Sequence, residues 1–198
     1  MKALANFADD DLLRLMASGD EEAFTALFQR RQGAVYRFAL QMSGSFSIAE
    51  EVTQEVFLVL LRDGGTYDAS RGALASYLYG IARRLVWRRL AHNRSHLPLA
   101  PEEDDDGRTP EYLIAPSEVE RDLARHEEMR SLRRAILALP PSYREAVILC
   151  ELHELSYAEA ARVLGCAVGT VRSRLHRARA LLSERLACQR SSSSGCLV

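Results

Sequence analysis

Three observations on the 198-residue chain predict an all-α fold of two small helical domains. Apolar residues recur at three- and four-residue steps through most of its length, and no stretch reads convincingly as a strand. A proline-bearing acidic stretch interrupts that rhythm once, near the middle. Arginines gather in two blocks on either side of it. Five lie between Leu74 and His96 with no acidic residue, and six between Val168 and Arg190 against Glu184 alone. The net charge of −1 conceals this segregation, and two basic surfaces are the footprint of polyanion binding.

Taken in order, residues 1–8 read as a loose lead-in. Asp9–Asp11 then open a short helix that carries Leu12, Leu13 and Leu15 and stops at Gly19. Asp20 suits the cap of the next, in which Ala23, Phe24, Leu27, Phe28, Val35, Phe38 and Met42 draw one stripe as far as Gly44. A third helix starts near Ser47 with Ile48, Val52, Val56, Phe57, Val59 and Leu60 as its apolar set, and shows Glu50, Glu51, Thr53, Gln54 and Glu55 opposite. Gly64 and Gly65 lead into a loop that holds Tyr67 and Arg71 and closes at Gly72. The fourth helix, Ala73 to Asn93, packs Leu74, Tyr77, Leu78, Ile81 and Leu85 with Trp87 or Leu90. Its polar positions are Arg83, Arg84, Arg88 and Arg89. These elements define a first domain at 9–95.

Residues 96–122 contain Pro98, Pro101, Pro110 and Pro116, with nine acidic residues between Pro101 and Asp122, and read as a flexible linker. Helical spacing returns from Glu118 through Leu123, Met129, Leu132, Ile136 and Leu139. Pro140 and Pro141 stop it, and Pro141 suits the first turn of a helix carrying Tyr143, Ala146, Val147, Leu149 and Cys150. The second domain spans 123–187, and the serine-rich tail 188–198 is expected to be disordered.

Leu155–Leu182 holds two short amphipathic helices about a tight turn at Gly165–Cys166–Ala167. Ser156 and Glu159 have the spacing of a capping box, and Ala158, Ala161 and Leu164 share a face. Gly165 stands where a helix ends in left-handed geometry. In the second helix Val168, Val171, Leu175, Ala178 and Leu182 form the buried stripe, leaving Thr170, Arg172, Ser173, Arg174, His176, Arg177 and Arg179 outside. An arginine-rich amphipathic helix is otherwise simply a solvated face. The turn and the small residue four positions before it make this a helix-turn-helix with a DNA-reading second helix.

Other chemistries find little support. The four cysteines at 150, 166, 188 and 196 form no C-x-x-C pair and read as reduced thiols, with Cys188 and Cys196 the weaker candidates for redox or metal sensing. The histidines are dispersed, and His92 with His96 lacks partnering ligands. No enzyme activity, cofactor or metal is expected. The first residues hold no apolar run, so no signal peptide or membrane span is expected, and a cytoplasmic location is expected.

Six stretches, in order, resemble the extracytoplasmic-function (ECF) sigma factors of the sigma-70 family. They are G-D-E-E-A-F-x-x-L at 19–27, A-E-E-V-T-Q-E-V-F at 49–57, Y-L-Y-G-I-A-R-R at 77–84, L-P-P-S-Y-R-E-A at 139–146, L-S-Y-A-E-A-A at 155–161 and V-G-T-V-R-S-R-L-H-R-A-R at 168–179. The resemblance implies a sigma region 2-like first domain and a region 4-like second domain, binding the β and β′ subunits of core RNA polymerase and promoter DNA, under an anti-sigma factor. It implies polymerase docking through Glu51, Gln54 and Glu55. It implies contact with the minus-ten element through Tyr67, Arg71, Arg83, Arg84 and Arg88, where stacking and guanidinium groups suit single-stranded DNA. Tyr77 and Trp87 fit there too, although the core is the better place for Tyr77. At the minus-thirty-five element, Ser156, Tyr157, Thr170, Arg172 and Arg144 would meet phosphates, and Ser173, His176 and Arg177 base edges. Backbone donors at 167–169 would add to the phosphate contacts. Glu51, Tyr77 and Arg84 stand where many relatives have aspartate, tryptophan and asparagine, and Ala167 where many have proline. Arg84 puts the sequence preference at the melted strand in doubt. Two other readings are a sigma-like decoy that sequesters an anti-sigma factor and a one-component regulator with a ligand pocket in its first domain.

Overall fold

Residues 4–64, 67–96 and 119–193 are described by a computed structural model, and among them every regular element is helical. The three acidic residues that open α1 (Asp9–Ala17) suit the positive end of a helix dipole, and this helix buries Leu12 and Leu13. Asp20 caps α2 (Glu21–Ser43), its carboxylate accepting from the Ala23 N–H at 3.0 Å. Gly44 ends that helix in the left-handed region, at φ 74°. Ser45 then caps α3 (Phe46–Asp63). A single 3-10 turn (Ala69–Arg71) leads into α4 (Leu74–His96).

In this first unit α2 lies against α1, α3 and α4. Leu27, Phe38 and Met42 of α2 share one interior with Val52, Val56 and Leu60 of α3 and with Leu78, Ile81 and Ala82 of α4. Phe28 and Phe57 meet edge to face, with ring centres 4.8 Å apart. The predicted stripes are therefore the packed ones, except that Thr53, expected on the polar face of α3, is buried and donates its hydroxyl to the Ala49 carbonyl at 2.7 Å.

The second unit comprises α5 (Val119–Leu137), α6 (Pro141–Val147), a π-helical turn (Ile148–Leu152), α7 (Tyr157–Leu164) and α8 (Val168–Ser193). Pro141 occupies the first turn of α6, as its missing N–H allows. Two expected boundaries shift. α5 is already helical at Val119, so the linker does not run to 122; Glu120, Arg121, Leu123 and Ala124 are good helix formers. α8 continues to Ser193, so 188–193 are helical rather than disordered, because extending a formed helix costs far less than starting one. The remainder of the linker, 97–118, and the tail 194–198 lie outside the described residues.

The two units are docked against each other rather than joined by the linker alone. α2 touches α5 and the π turn, and α4 touches α7. At this junction the His153 ring sits between Tyr79 of α4 and Gln41 of α2. Its Nδ1 lies 2.9 Å from the Tyr79 hydroxyl and its Nε2 3.0 Å from Gln41 Oε1. A neutral imidazole satisfies both partners: the hydroxyl donates to Nδ1 and Nε2–H donates to the amide oxygen. Burial, reinforced by the positive charge of Arg37, pushes the His153 pKa down to about 4. A depressed histidine favours the folded form while it stays neutral. Its contribution is complete above the ordinary value of 6.5 and is lost as the pH falls from there towards 4. Melting temperature measured across that window should fall towards acid, and His153→Gln, which has no proton to gain, should flatten the decline. Identical slopes for the two proteins would dismiss His153 as a source.

Candidate nucleic-acid interface

The helix-turn-helix is built by its caps. Ser156 Oγ accepts from the Glu159 N–H at 3.3 Å, and the Glu159 carboxylate accepts from the Ser156 N–H at 2.9 Å, completing the capping box. The Ser156 hydroxyl also donates to that carboxylate at 2.6 Å. These bonds hold the Glu159 carboxyl below its usual range. Ser156, expected on a phosphate, thus already serves as the start of α7. At the far end Gly165 adopts φ 64°, and the Cys166 N–H reaches back to the Ala161 carbonyl at 3.0 Å. α7 buries Ala160, Ala161 and Leu164, whereas Ala158, expected on that face, is exposed.

α8 turns Val171, Leu175 and Ala178 fully inward. Val168, expected in the same stripe, is exposed in the first turn, and Leu182 is half-buried. The inward stripe fixes what faces out: Arg172, Ser173, His176 and Arg177 are exposed on successive turns, with Thr170 half-buried beside them. Ser173 Oγ donates to the Thr170 carbonyl at 3.0 Å. The Arg172 guanidinium lies 5.9 Å from the centre of the exposed Tyr157 ring, a cation–π approach that joins the two helices of the motif. Arg179 is paired with Glu151 of the π turn.

Arg144 corrects the sequence reading. Expected on a phosphate, its guanidinium instead donates to backbone carbonyls: Met42 in α2 at 2.8 Å, Leu139 at 3.2 Å, and Leu137 at the end of α5. The last carbonyls of a helix carry partial negative charge and lack partners within it, so a guanidinium fork fits there.

In the first unit Tyr67, Arg71, Ser76, Tyr77, Arg83 and Arg84 line an open cleft of about 400 Å³, to which α7 adds Arg162 and Val163. Tyr67 packs on Tyr77 with ring centres 5.5 Å apart, and its hydroxyl lies 2.9 Å from an Asp10 carboxylate oxygen and 3.0 Å from the Gly72 carbonyl. Burial first, and the Asp10 carboxylate second, push this phenol up to about 12. Arg71 and Arg84 are exposed on the rim. Arg83 is ion-paired to Glu145 of α6 at 2.6 Å, and Trp87 donates to the same carboxylate oxygen at 2.6 Å. Tyr77 packs against the core and also borders the cleft.

On the outer face, Glu51 and Gln54 of α3 are exposed and Glu55 is half-buried. Arg89 pairs with Glu51 at 2.5 Å and with Glu55 at 3.1 Å, and Arg88 pairs with Glu55. Burial pushes the Glu55 carboxyl up, but the hydrogen bonds and charges of the two arginines outweigh it and hold it below its usual range. Sequence reasoning missed Leu58 and Leu61 on this face, 63% and 49% exposed. Their spacing from Gln54 at four and seven residues would have found them. It also missed Glu145, which directly precedes the buried Ala146 and Val147 of α6.

Cys150 is half-buried and its thiol is pushed up to about 11, chiefly by burial, so it stays protonated near neutrality. Among the described residues no cluster of metal-binding side chains occurs, and no helix is long and apolar enough to cross a membrane.

Residues 27–96 match the family described as Sigma-70 region 2, and residues 129–182 match Sigma-70, region 4. The chain belongs to the ECF sigma factors of RNA polymerase. It is 34% identical to SigM of Mycobacterium tuberculosis over 90% of this chain and 85% of that one. It is 32% identical to SigE of Mycolicibacterium smegmatis over 86% of this chain, but spans only 65% of that longer protein. Among solved structures it is similar to the sigma factor RpoE in complex with the anti-sigma factor NepR from Bartonella quintana. That match has a TM-score of 0.63 and 26% identity, over 83% of this chain and 96% of that one. In this sigma factor the helix-turn-helix falls in the region 4 segment, and the arginine-lined cleft falls in the region 2 segment apart from Arg162 and Val163.

Loss of the capping box is measurable by itself. Ser156→Ala should lower the unfolding free energy by about 0.5–2 kcal/mol, and Ser156→Gly by only a few tenths, as read by urea denaturation. Equal stability of all three proteins would show that the cap contributes nothing.

Proposed function

We propose that the chain brings core RNA polymerase to promoters by a two-point grip on DNA. α8 reads the minus-thirty-five element, and the Tyr67–Arg71 turn with α4 holds the melted minus-ten strand. One observation carries this reading. The buried stripe Val171, Leu175 and Ala178 aims Arg172, Ser173, His176 and Arg177 outward from one helix face. A major groove accepts such a face, and an arginine fork matches the two acceptors of guanine. Tyr157 and Thr170 border it and meet phosphates in this reading. The cleft supports the second point, since Arg71 and Arg84 lie beside Tyr67 and Tyr77 as a single-strand path requires. Arg88 lies farther along α4, where it reaches the same strand once released from Glu55.

Polymerase docking falls to the α3 face of Glu51, Gln54 and Glu55, extended by Leu58 and Leu61. Exposed aliphatics beside a polar patch are what a protein interface core needs. The α3 ion pairs are solvent-facing and worth about 0–1 kcal/mol each, so a basic partner displaces Arg88 and Arg89 at little cost. The factor works in the cytoplasm, has no catalytic activity of its own, and is held in check by an anti-sigma factor, as the NepR complex of the similar RpoE suggests. Two intact arginine faces favour this reading over that of a decoy, which has no use for them.

Transcription in vitro with core polymerase tests the whole: promoter-dependent transcripts are expected, and their absence at every promoter tried rejects it. Arg177→Ala should weaken use of promoters that carry its preferred base pair by about 1–3 kcal/mol and leave promoters altered at that pair unchanged. A uniform loss across promoters would instead make Arg177 a phosphate contact.

A further inference from the structure

The DNA-facing side of α8 has a support that begins outside the helix-turn-helix. Arg172 and Arg179 are separated by about two turns of α8, so both guanidiniums leave the helix on the same side. Tyr157, the first residue of α7, faces both. Its ring centre lies 5.9 Å from the Arg172 guanidinium carbon, and its hydroxyl stands beside the Arg179 guanidinium. Arg179 is in turn paired with Glu151 of the π turn, which precedes both helices of the motif. Glu151 first, and Tyr157 after it, push the Arg179 pKa up. All four residues belong to the second unit, so the row Glu151–Arg179–Tyr157–Arg172 does not depend on how the two units sit.

We propose that Glu151 and Arg179 are positioning residues for promoter reading: they fix the Tyr157 ring, and the ring holds the Arg172 guanidinium out towards DNA. The inference rests on the promoter reading of α8. The chemistry suits an arginine in particular. A guanidinium laid against an aromatic ring is held through its π surface. Its N–H donors lie in its own plane and stay free for phosphate or base acceptors. An exposed arginine held in this way loses less rotamer freedom on binding. Tyrosine suits the other side, because the hydroxyl on the ring edge is what meets Arg179. Glu151 carries the charge that phosphate repels, so its support for binding passes through Arg179 rather than through DNA.

The factor assembled with core polymerase should be titrated by fluorescence anisotropy on a promoter fragment carrying the minus-thirty-five element. Tyr157→Phe, Tyr157→Leu and Glu151→Ala are each compared with and without Arg172→Ala. Tyr157→Phe keeps the ring and Tyr157→Leu does not, while both lose the hydroxyl, so their ratio isolates the ring. Tyr157→Leu should bind about two- to fivefold more weakly than Tyr157→Phe, and that ratio should fall to one beside Arg172→Ala. Removing a carboxylate near DNA by itself strengthens binding. Glu151→Ala should nevertheless weaken it, and should show the gain only beside Arg172→Ala. In the free full-length protein, the ring-current shift of the Arg172 δ protons, read by NMR, should be lost in Tyr157→Leu and reduced in Glu151→Ala. Circular dichroism confirms that each variant retains its helices. A ratio that Arg172→Ala leaves unchanged overturns the role of the ring, and tighter binding by Glu151→Ala overturns the role of Glu151 and Arg179. Absence of promoter binding by the wild-type assembly rejects the promoter reading of α8. The Arg172 shift then decides the support by itself, which stands if both variants move it and falls otherwise.

Discussion

A helix can aim only one face, and in this protein small apolar residues decide which. Val171, Leu175 and Ala178 occupy the inward side of α8, and that alone determines that Arg172, Ser173, His176 and Arg177 point into solvent. Leu78, Ile81, Ala82 and Leu85 do the same for α4, where Arg84 and Arg88 are exposed. The constraint is hydrophobic, about 25 cal/mol for each Å² of apolar surface withdrawn from water, and it has no direction of its own. Direction comes from the helical period, which converts burial of one side into display of the other. The face that the proposed reading offers to DNA is thus chosen by residues on the opposite side of the helix.

Charge is organised one layer further out. The basic residues on α4 are not left alone: Arg88 and Arg89 rest on Glu51 and Glu55, and Arg83 rests on Glu145. These pairs differ in kind. Arg88 with Glu55 is solvent-facing, 63% and 28% exposed, so water and salt can replace either partner. Glu145 is deeply buried, and removing its charged partner alone would leave a carboxylate without compensation. The first kind tunes a surface, whereas the second sets a geometry.

Local features of the fold were legible for local reasons. The Ser156–Glu159 box, the Asp20 cap, Gly165 and Pro141 each encode a helix end within four residues, and all four stand where the spacing indicates. Ala158 and Ala160 illustrate the limit: with alanines on every side, the pattern could not say which one faces α8. The faces of α3 and α8 were visible through periodicity. Tyr67 and Arg71 came from the family resemblance rather than from any pattern. Arg144 misled because a basic residue near a helix-turn-helix looks the same in sequence whether it meets a phosphate or a helix C-terminus. The carbonyl of Met42 lies 102 positions away, beyond any local signal.

That distance is the general difficulty with the junction. Glu145 and Arg83 are separated by 62 residues, and His153 and Tyr79 by 74, with the acidic linker between them. Closing so long a loop costs entropy that grows only slowly with length, so a few well-placed polar contacts are enough to hold it. Apolar packing shares the junction: Phe38 and Tyr79 stand against the His153 ring, and the Leu137 side chain lies against Gly44. A solvent-exposed set of ion pairs would not have held them at all. Burying one carboxylate between Arg83 and Trp87 adds a directional contact to that packing and sets α6 against a full turn of α4.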